Sequence, residues 1–130
     1  MSENKEVMQV TQKKSWEEAL EKEAWLAPLA DIYETQDDFF LVSQMPGVNK
    51  EDVKIKLEDG HLILMGRIDY DSASDRRYVL KETETGNFYR RFKISESIDE
   101  QKIDANMENG ILKIRLPKHE RVKPKTIAIK

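Results

Sequence analysis

Apolar and charged residues alternate strictly over residues 53–58, which read Val-Lys-Ile-Lys-Leu-Glu. A period of two places one set of side chains on a buried face and the other in water, which predicts a β-strand. Leu62 and Leu64 continue the alternation after Asp59-Gly60. Because Asp-Gly supplies the positive φ angles of a two-residue type I′ turn, the two segments are predicted to form a hairpin.

The same pattern recurs around Asn109-Gly110. Alternating apolar residues lie on both sides of that turn: Ile103, Ala105 and Met107 before it, and Leu112, Ile114 and Leu116 after it. Further strands are predicted at residues 32–35, 39–45 and 88–94. Several short strands joined by close turns, with no convincing helix after residue 30, predict an all-β fold, an antiparallel β-sandwich.

The first thirty residues follow a different pattern. Ser15 and Glu18 have capping-box spacing, which predicts a short helix that Pro28 prevents from continuing. So short a helix is marginal in water, and its apolar stripe is weak. We therefore expect a mobile arm that becomes ordered only where a surface accepts Trp16, Trp25 and Leu26.

Two further segments have no hairpin character. Residues 67–86 form a connection too long for a tight turn, with one small apolar patch at Tyr78-Val79-Leu80. Residues 118–126 are charged and contain Pro124, which predicts an extended tether. It leads to Ile127-Ala128-Ile129 near the C-terminus.

Composition narrows the function. The 130 residues are 36% charged with a formal net charge of −3 and no cysteine. This balance disfavours a general nucleic-acid binder, and the lack of cysteine removes disulfides and thiolate chemistry. No apolar run is long enough to cross a membrane and no secretory signal is present, so a soluble, cytoplasmic protein is expected.

No pattern in the sequence predicts catalysis. The five glycines are scattered at turns and form neither a phosphate-binding loop nor a dinucleotide fingerprint. His61 and His119 have no metal-ligand spacing around them. We therefore expect no catalytic residue, no metal and no cofactor.

Arg90 is the most unusual charge in the predicted strands. It shares strand parity with Phe88 and Phe92, so its guanidinium points at a face that should be buried. A salt bridge within the chain or a bulge that turns the side chain outward would explain it. A charge pair at a subunit contact would explain it equally well.

The terminal isoleucines also leave two interpretations open. Ile127 and Ile129 lie on one side of an extended segment. They could form a last strand packed on their own domain. Alternatively, they could dock into a groove of another subunit by strand addition, each filling a pocket.

Taken together, these pieces resemble the small heat-shock protein, or α-crystallin, family. The resemblance covers about residues 28–130, and its order and spacing are specific. It rests on residues 30–35 (Ala-Asp-Ile-Tyr-Glu-Thr), Met45-Pro46-Gly47-Val48, Glu51-Asp52-Val53, residues 88–92 (Phe-Tyr-Arg-Arg-Phe), residues 105–112 (Ala-Asn-Met-Glu-Asn-Gly-Ile-Leu) and Ile127-Ala128-Ile129. It implies an immunoglobulin-like α-crystallin sandwich at residues 30–117, an arm at 1–29 and a tail at 118–130.

The resemblance also implies roles for particular residues. Ile127 and Ile129 match a tail motif that docks between edge strands of a neighbouring sandwich. The groove would be lined by Val53, Ile55, Leu57, Leu112, Ile114 and Leu116. The dimer interface would include Arg90 and a lent strand at Tyr78, Val79 and Leu80 that pairs near Ile32 and Tyr33.

The function that the resemblance implies is that of a chaperone that holds unfolding proteins without ATP and is regulated by reversible oligomerisation. Its partners would be copies of itself and unfolded clients, with no nucleic acid and no membrane. Candidate client-binding residues are Trp16, Leu20, Trp25 and Leu26. The alternative is a monomeric adaptor resembling the p23-like co-chaperones, which share a related sandwich.

Overall fold

Two Xaa-Gly turns define the hairpins in the computed structural model, which describes residues 15–130. In Asp59-Gly60 the φ angles are +51° and +72°, and in Asn109-Gly110 they are +51° and +75°. A type I′ turn requires positive φ at both of these positions. The turns join strands within residues 53–66 and 104–117, so the two predicted hairpins are confirmed.

Within residues 15–130 the chain forms two short helices and eight strands. The helices are α1 (Trp16–Lys22) and α2 (Tyr70–Ser74). The strands are β1 (Trp25–Leu26), β2 (Ala30–Glu34), β3 (Asp38–Gln44), β4 (Val53–Glu58), β5 (His61–Gly66), β6 (Asn87–Lys93), β7 (Asp104–Glu108) and β8 (Ile111–Pro117). Single 3₁₀ turns lie at Lys50–Asp52, Glu100–Lys102 and Glu120–Val122.

The strands form two four-stranded sheets. One, called sheet A, has the order β1-β6-β5-β4, and the other, sheet B, has the order β2-β3-β8-β7. Every pairing is antiparallel except that of β1 with β6. The inward side chains of both sheets form one core that includes Leu41, Met45, Val48, Leu62, Leu64, Ile98, Leu112, Ile114 and Leu116. The predicted antiparallel sandwich is therefore confirmed.

Of the arm that we expected at residues 1–29, residues 1–14 lie outside the described residues, and residues 15–29 are packed on their own domain. The Ser15 hydroxyl accepts a hydrogen bond from the Glu18 amide at 3.2 Å, which starts α1 as predicted. Ala19 of α1 is fully buried. The two-residue β1 then joins sheet A beside β6. Sheet A of the same chain therefore supplies the surface that the short helix needs.

Strand β5 is buried on both faces. Leu62 and Leu64 point into the core, as alternation predicts, whereas Ile63 and Met65 point to the outer side of sheet A and are nonetheless buried. The continuous run Leu-Ile-Leu-Met signals this arrangement, because a strand that is wet on one face alternates instead. Alternation alone did not assign Ile63 and Met65 to a buried position.

The long connection 67–86 contains the short helix α2, which the sequence patterns did not predict. The Asp69 carboxylate caps α2 by accepting a hydrogen bond from the Ser72 amide at 3.3 Å. After α2 the chain has no regular secondary structure until β6 begins at Asn87.

Core packing predicts a contrast between two isoleucines of β8. Ile114 is fully buried between the sheets, whereas Ile111 lies on the exposed side. We expect Ile114→Ala to lower the free energy of unfolding by about 2–5 kcal/mol, because it removes buried methyl groups and leaves a cavity. Ile111→Ala is the matched control and should cost less than about 1 kcal/mol. Denaturant unfolding of both variants measures the difference, and similar losses would contradict the assigned burial.

Candidate interaction surfaces

The terminal isoleucines have no packing partner on their own domain. Ile127 is 86% exposed and Ile129 is 98% exposed, and residues 124–130 adopt no regular secondary structure. In the described structure the pair is therefore not a last strand of its own sandwich. Two branched apolar side chains are instead presented to solvent at the end of a basic segment.

The tail is tethered at one turn. Lys123 donates a hydrogen bond from Nζ to Oε1 of Glu120 at 2.8 Å. This contact lowers the pKa of the Glu120 carboxyl and raises the pKa of the Lys123 amine. The tail leaves the sandwich just before this turn, where the His119 amide donates to the Ser97 carbonyl oxygen at 2.7 Å.

The edge strands β4 and β7 lie on the same side of the sandwich, and both present half-covered apolar residues. Ile32 of β2 and Phe92 of β6 line one cavity, so β2 and β6 lie together at one side of the sandwich. Since β4 and β7 end the two sheets at the opposite side, they lie together as well. Val53 and Ile55 of β4 and Met107 of β7 pack against the core from there while half-exposed. Between β4 and β7 the sandwich is therefore open.

One part of the expected groove must be corrected. Leu112, Ile114 and Leu116 were expected to line it from an edge strand, but β8 is an inner strand of sheet B and the three residues are 1%, 0% and 3% exposed. They belong to the core. The edge position is held by β7, so the residues available on that side are Ala105 and Met107. Alternation identifies inward side chains but does not distinguish an edge strand from an inner one.

On β4 the expected residues are placed as the sequence implies. Val53 and Ile55 are half-buried and Leu57 is exposed, and all three share the inward side with Leu62 and Leu64 of β5. The apolar side chains of this edge become more exposed toward the C-terminal end of β4. An extended peptide added here would cover Leu57 first.

The Arg90 side chain points inward, on the side of β6 that faces the other sheet. Its Nη1 donates a hydrogen bond to the carbonyl oxygen of Pro28 at 2.9 Å, and its guanidinium lies 4.8 Å from the centre of the Phe92 ring. Among residues 15–130 no carboxylate forms a salt bridge with it. Neither a bulge nor an ion pair inside the described chain explains this residue; it instead ties β6 to the segment between β1 and β2.

The edge strand β2 is open along one side. It pairs with β3 alone, and both Ile32 and Tyr33 are about half exposed. Tyr33 stacks on Phe40 at 5.1 Å between ring centres. Beside this edge lies an apolar cavity of about 210 Å³. The open edge and the cavity together form a place where another strand could add.

The patch Tyr78-Val79-Leu80 is exposed in the long connection. Val79 has no cover at all, Leu80 is largely exposed, and Tyr78 is anchored by a hydrogen bond from its hydroxyl to the carbonyl oxygen of Ala73 at 3.3 Å. Within one chain the patch forms no strand and does not meet β2.

The four candidate client-binding residues lie together around α1 and β1. Leu20, Trp25 and Leu26 line a shallow pocket with Tyr89. Trp16 and Trp25 are 6.5 Å apart between ring centres. Leu20 is exposed, whereas Trp16, Trp25 and Leu26 are half-buried against sheet A.

A buried polar network under this segment escaped the sequence patterns. The Glu23 carboxylate accepts a hydrogen bond from Asn87 Nδ2 at 2.7 Å and lies 3.9 Å from Arg67 Nη2. Asn87 Oδ1 in turn accepts from the Ile68 amide at 3.0 Å. The charge at Glu23 interrupts the apolar stripe of the helix. That interruption was the available signal in the sequence that the Glu23 carboxylate has a polar partner.

The described part of the chain shows no metal chemistry and no membrane-spanning helix. Among residues 15–130 no group of three or more His, Cys, Asp or Glu side chains could hold a metal ion. No helix within that range is long and apolar enough to cross a membrane.

Comparisons with known proteins agree with this architecture. The model of the Hsp20/alpha crystallin family matches residues 31–130. A probable 15 kDa heat shock protein of Leptospira interrogans is 38% identical over 96 residues, covering 73% of this chain and 72% of that protein. Small heat shock protein C4 of Rickettsia felis is 32% identical over 105 residues, covering 80% of this chain and 64% of that protein.

Solved structures give the same result. Heat shock protein 16.0 from Schizosaccharomyces pombe superposes with a TM-score of 0.65 at 34% identity, covering 81% of this chain and 99% of the other. A small heat-shock protein from Xylella fastidiosa superposes with a TM-score of 0.67 at 30% identity, covering 82% and 99%. The chain therefore belongs to the Hsp20/alpha crystallin family of small heat-shock proteins. Membership assigns it a chaperone role, in a family of non-enzymatic stress-response proteins.

The Arg90 contacts predict a position-specific loss of stability. We expect Arg90→Ala to lower the free energy of unfolding by about 1.5–3 kcal/mol, because it removes a charged donor from the Pro28 carbonyl. Arg90→Lys should recover only part of the loss, since an ammonium lacks the planar stacking surface. Arg91→Ala, on the exposed side of β6, is the control. Denaturant unfolding compares the three, and an equal loss for Arg90→Ala and Arg91→Ala would contradict the assigned role.

Proposed function

We propose that the protein is an ATP-independent holdase that binds unfolding proteins, suppresses their aggregation and is regulated by reversible oligomerisation. The carrying observation is the exposed pair Ile127 and Ile129, combined with a half-covered apolar opening between β4 and β7. Each feature is costly to leave in water, and both are apolar, so burial of one against the other would remove both from solvent. Family membership supports the same proposal.

The tail of one subunit would occupy the opening of another. Ile127 and Ile129 are two residues apart, as are Ile55 and Leu57 along β4, so an extended tail places both side chains on the same face. Burial of the two would stabilise the contact by roughly 1.5–3 kcal/mol each before ordering costs. One such contact is weak. Repeated around a closed assembly, the same contact is strengthened by the high local concentration of tails.

A second contact would form the dimer. The exposed patch Tyr78-Val79-Leu80 would add as a strand to the open edge of β2 in the partner, beside Ile32 and Tyr33. The apolar cavity at that edge gives an incoming side chain a place to fill. Arg90 lies in the neighbouring strand, β6, without a carboxylate partner among residues 15–130, so a carboxylate of the partner subunit could pair with it.

Client capture would use apolar surface that the assembly masks at rest. The proposed client-binding residues are Trp16, Leu20, Trp25 and Leu26. Heat would weaken the modest contacts that cover apolar surface, and the uncovered surface would bind aggregation-prone chains. The relative from Xylella fastidiosa is described as having a distinct high order structure, which supports assembly as part of this scheme.

Holdase activity predicts suppression of aggregation without nucleotide. We expect light scattering from a heated model client to be reduced at about a one-to-one ratio of subunits to client, because binding consumes surface and releases no product. The measurement is made with ATP omitted, and serum albumin at equal mass is the control. Unreduced scattering at a one-to-one ratio would overturn the proposal.

Tail docking predicts that a double variant loses higher assembly. Ile127→Ala with Ile129→Ala should leave dimers while dismantling larger oligomers, since it removes both side chains that fill the groove. Native mass spectrometry of wild type and variant measures the change. Thr126→Ala, whose side chain lies on the opposite side of the extended tail, is the matched control. An unchanged large oligomer in the double variant would refute the docking role, and a monomer for wild type would favour the monomeric adaptor.

A further inference from the structure

The outer face of sheet A carries an apolar strip that the chain itself covers. The strip consists of Ile63 and Met65 of β5, whose exposed fractions are 4% and 3% although they point away from the sandwich core. The outer side of a sandwich sheet is ordinarily wet and polar. Ile63 lies between Lys56 and Arg91 of the neighbouring strands, whereas Met65 lies where another part of the chain crosses the sheet.

The element over Met65 is α1 with its flanking tryptophans. In sheet A the cross-strand neighbours of Met65 are Lys54 on one side and Tyr89 on the other. Trp16 lies 5.6 Å from the Lys54 ammonium, measured to the ring centre, and Leu20 and Trp25 share a pocket with Tyr89. The helix therefore reaches from β4 to β6 directly across Met65.

One buried charge holds this cover in place. Glu23, at the end of α1, is hydrogen-bonded to Asn87 Nδ2 at 2.7 Å and lies 3.9 Å from Arg67 Nη2. The side chains of Glu23 and Arg67 are only 4% and 7% exposed. Removal of one partner from a buried ion pair leaves the other charge uncompensated, so Glu23 acts as a latch.

Beyond this latch, few contacts attach the cover to sheet A. β1 pairs with β6 over two residues only, and the Asn87 amide donates to the Ala24 carbonyl oxygen at 2.8 Å. The Arg67 guanidinium also lies 5.3 Å from the centre of the Trp16 ring. Helix α1 has seven residues and β1 has two, both too short to be stable without the sheet. Trp25 Nε1 donates to the Ala19 carbonyl at 2.8 Å, which joins the helix to β1 within the segment itself. The chain becomes firmly attached at Pro28, whose carbonyl is bonded by Arg90. Residues 15–26 can therefore lift as a unit while the domain from Pro28 onward stays folded.

We propose that residues 15–26 form a thermally released lid, and that its release uncovers Met65, which continues the strip begun by Ile63, so that the strip binds apolar segments of unfolded polypeptide. This inference rests on the proposed holdase function and names a surface for it. The strip lies on the outer face of sheet A, whereas the tail groove uses the inward side chains of β4. Lid release and tail release therefore uncover different surfaces.

Lid movement has a built-in reporter, because Trp16 and Trp25 are the only tryptophans in the sequence and both belong to the lid. We expect acrylamide quenching of their fluorescence to rise at a lower temperature than the loss of sandwich circular dichroism. Glu23→Gln should raise the open population by about tenfold or more, since it breaks the buried pair. Glu21→Gln makes the same substitution on the exposed side of α1 and should behave as wild type.

A second lid variant guards against failure of the first to fold. Trp25→Phe keeps the ring but loses the hydrogen bond to Ala19, and it should lower the release temperature while Trp16 still reports. Coincidence of quenching and sandwich unfolding in the wild type and in every folded variant would overturn the lid.

Client binding to the strip is tested separately with reduced, unfolded α-lactalbumin as the probe. Glu23→Gln should capture the probe at lower temperature than wild type and Glu21→Gln. Amine cross-linking should join the probe to Lys54 and Lys56, which flank the strip, in several-fold excess over Lys113 on sheet B. Equal yields at the three lysines, or cross-links between subunits in place of the probe, would overturn the strip as a client surface. Lid release without capture by any form would contradict the holdase function and leave the lid movement established.

Discussion

The structure depends on one constraint, which is that a sandwich of two open sheets has edges. Inner strands such as β5 and β8 are paired on both sides, but β2, β4 and β7 each have one unpaired side. Their inward residues are only half-covered, because no neighbouring strand completes the layer. An isolated domain with three open edges is prone to pair with other chains. In the proposed function, the same property provides the surfaces from which a regulated assembly would be built.

The fourth edge is covered by β1 at the first two residues of β6 only, and this cover has a physical cause. Beside β6 lies β1, which is held from within by the buried pair of Glu23 and Arg67 and by Asn87. The end of the tail, in contrast, is exposed in the described structure, with Ile127 at 86% and Ile129 at 98%. A buried charge network is strong but specific to one geometry. A contact made by two exposed isoleucines is weak, which suits a contact that must form and break repeatedly.

Local patterns were sufficient to predict most of the sandwich, because strands such as β4 and β8 alternate and both hairpins contain an Xaa-Gly turn that fixes register. They did not predict which strand lies at an edge, so Leu112, Ile114 and Leu116 were placed in a groove although they fill the core. Strand order is a long-range property. The packed segment 15–29 was also missed, since its helix is too short to be stable alone and the covering surface lies in residues distant in sequence.

If the tail and the lid act as proposed, the different strengths of the two covers would give them different thresholds. Tail docking costs entropy in a long, charged tether and returns the burial of two side chains, so it should respond to subunit concentration as well as to temperature. The segment 15–26 is covalently attached beside its own surface, so its release should be independent of concentration. A chain with both devices can respond to dilution through the tail and to heat through the lid, and the two responses are separable because Ile129 and Met65 lie on different surfaces.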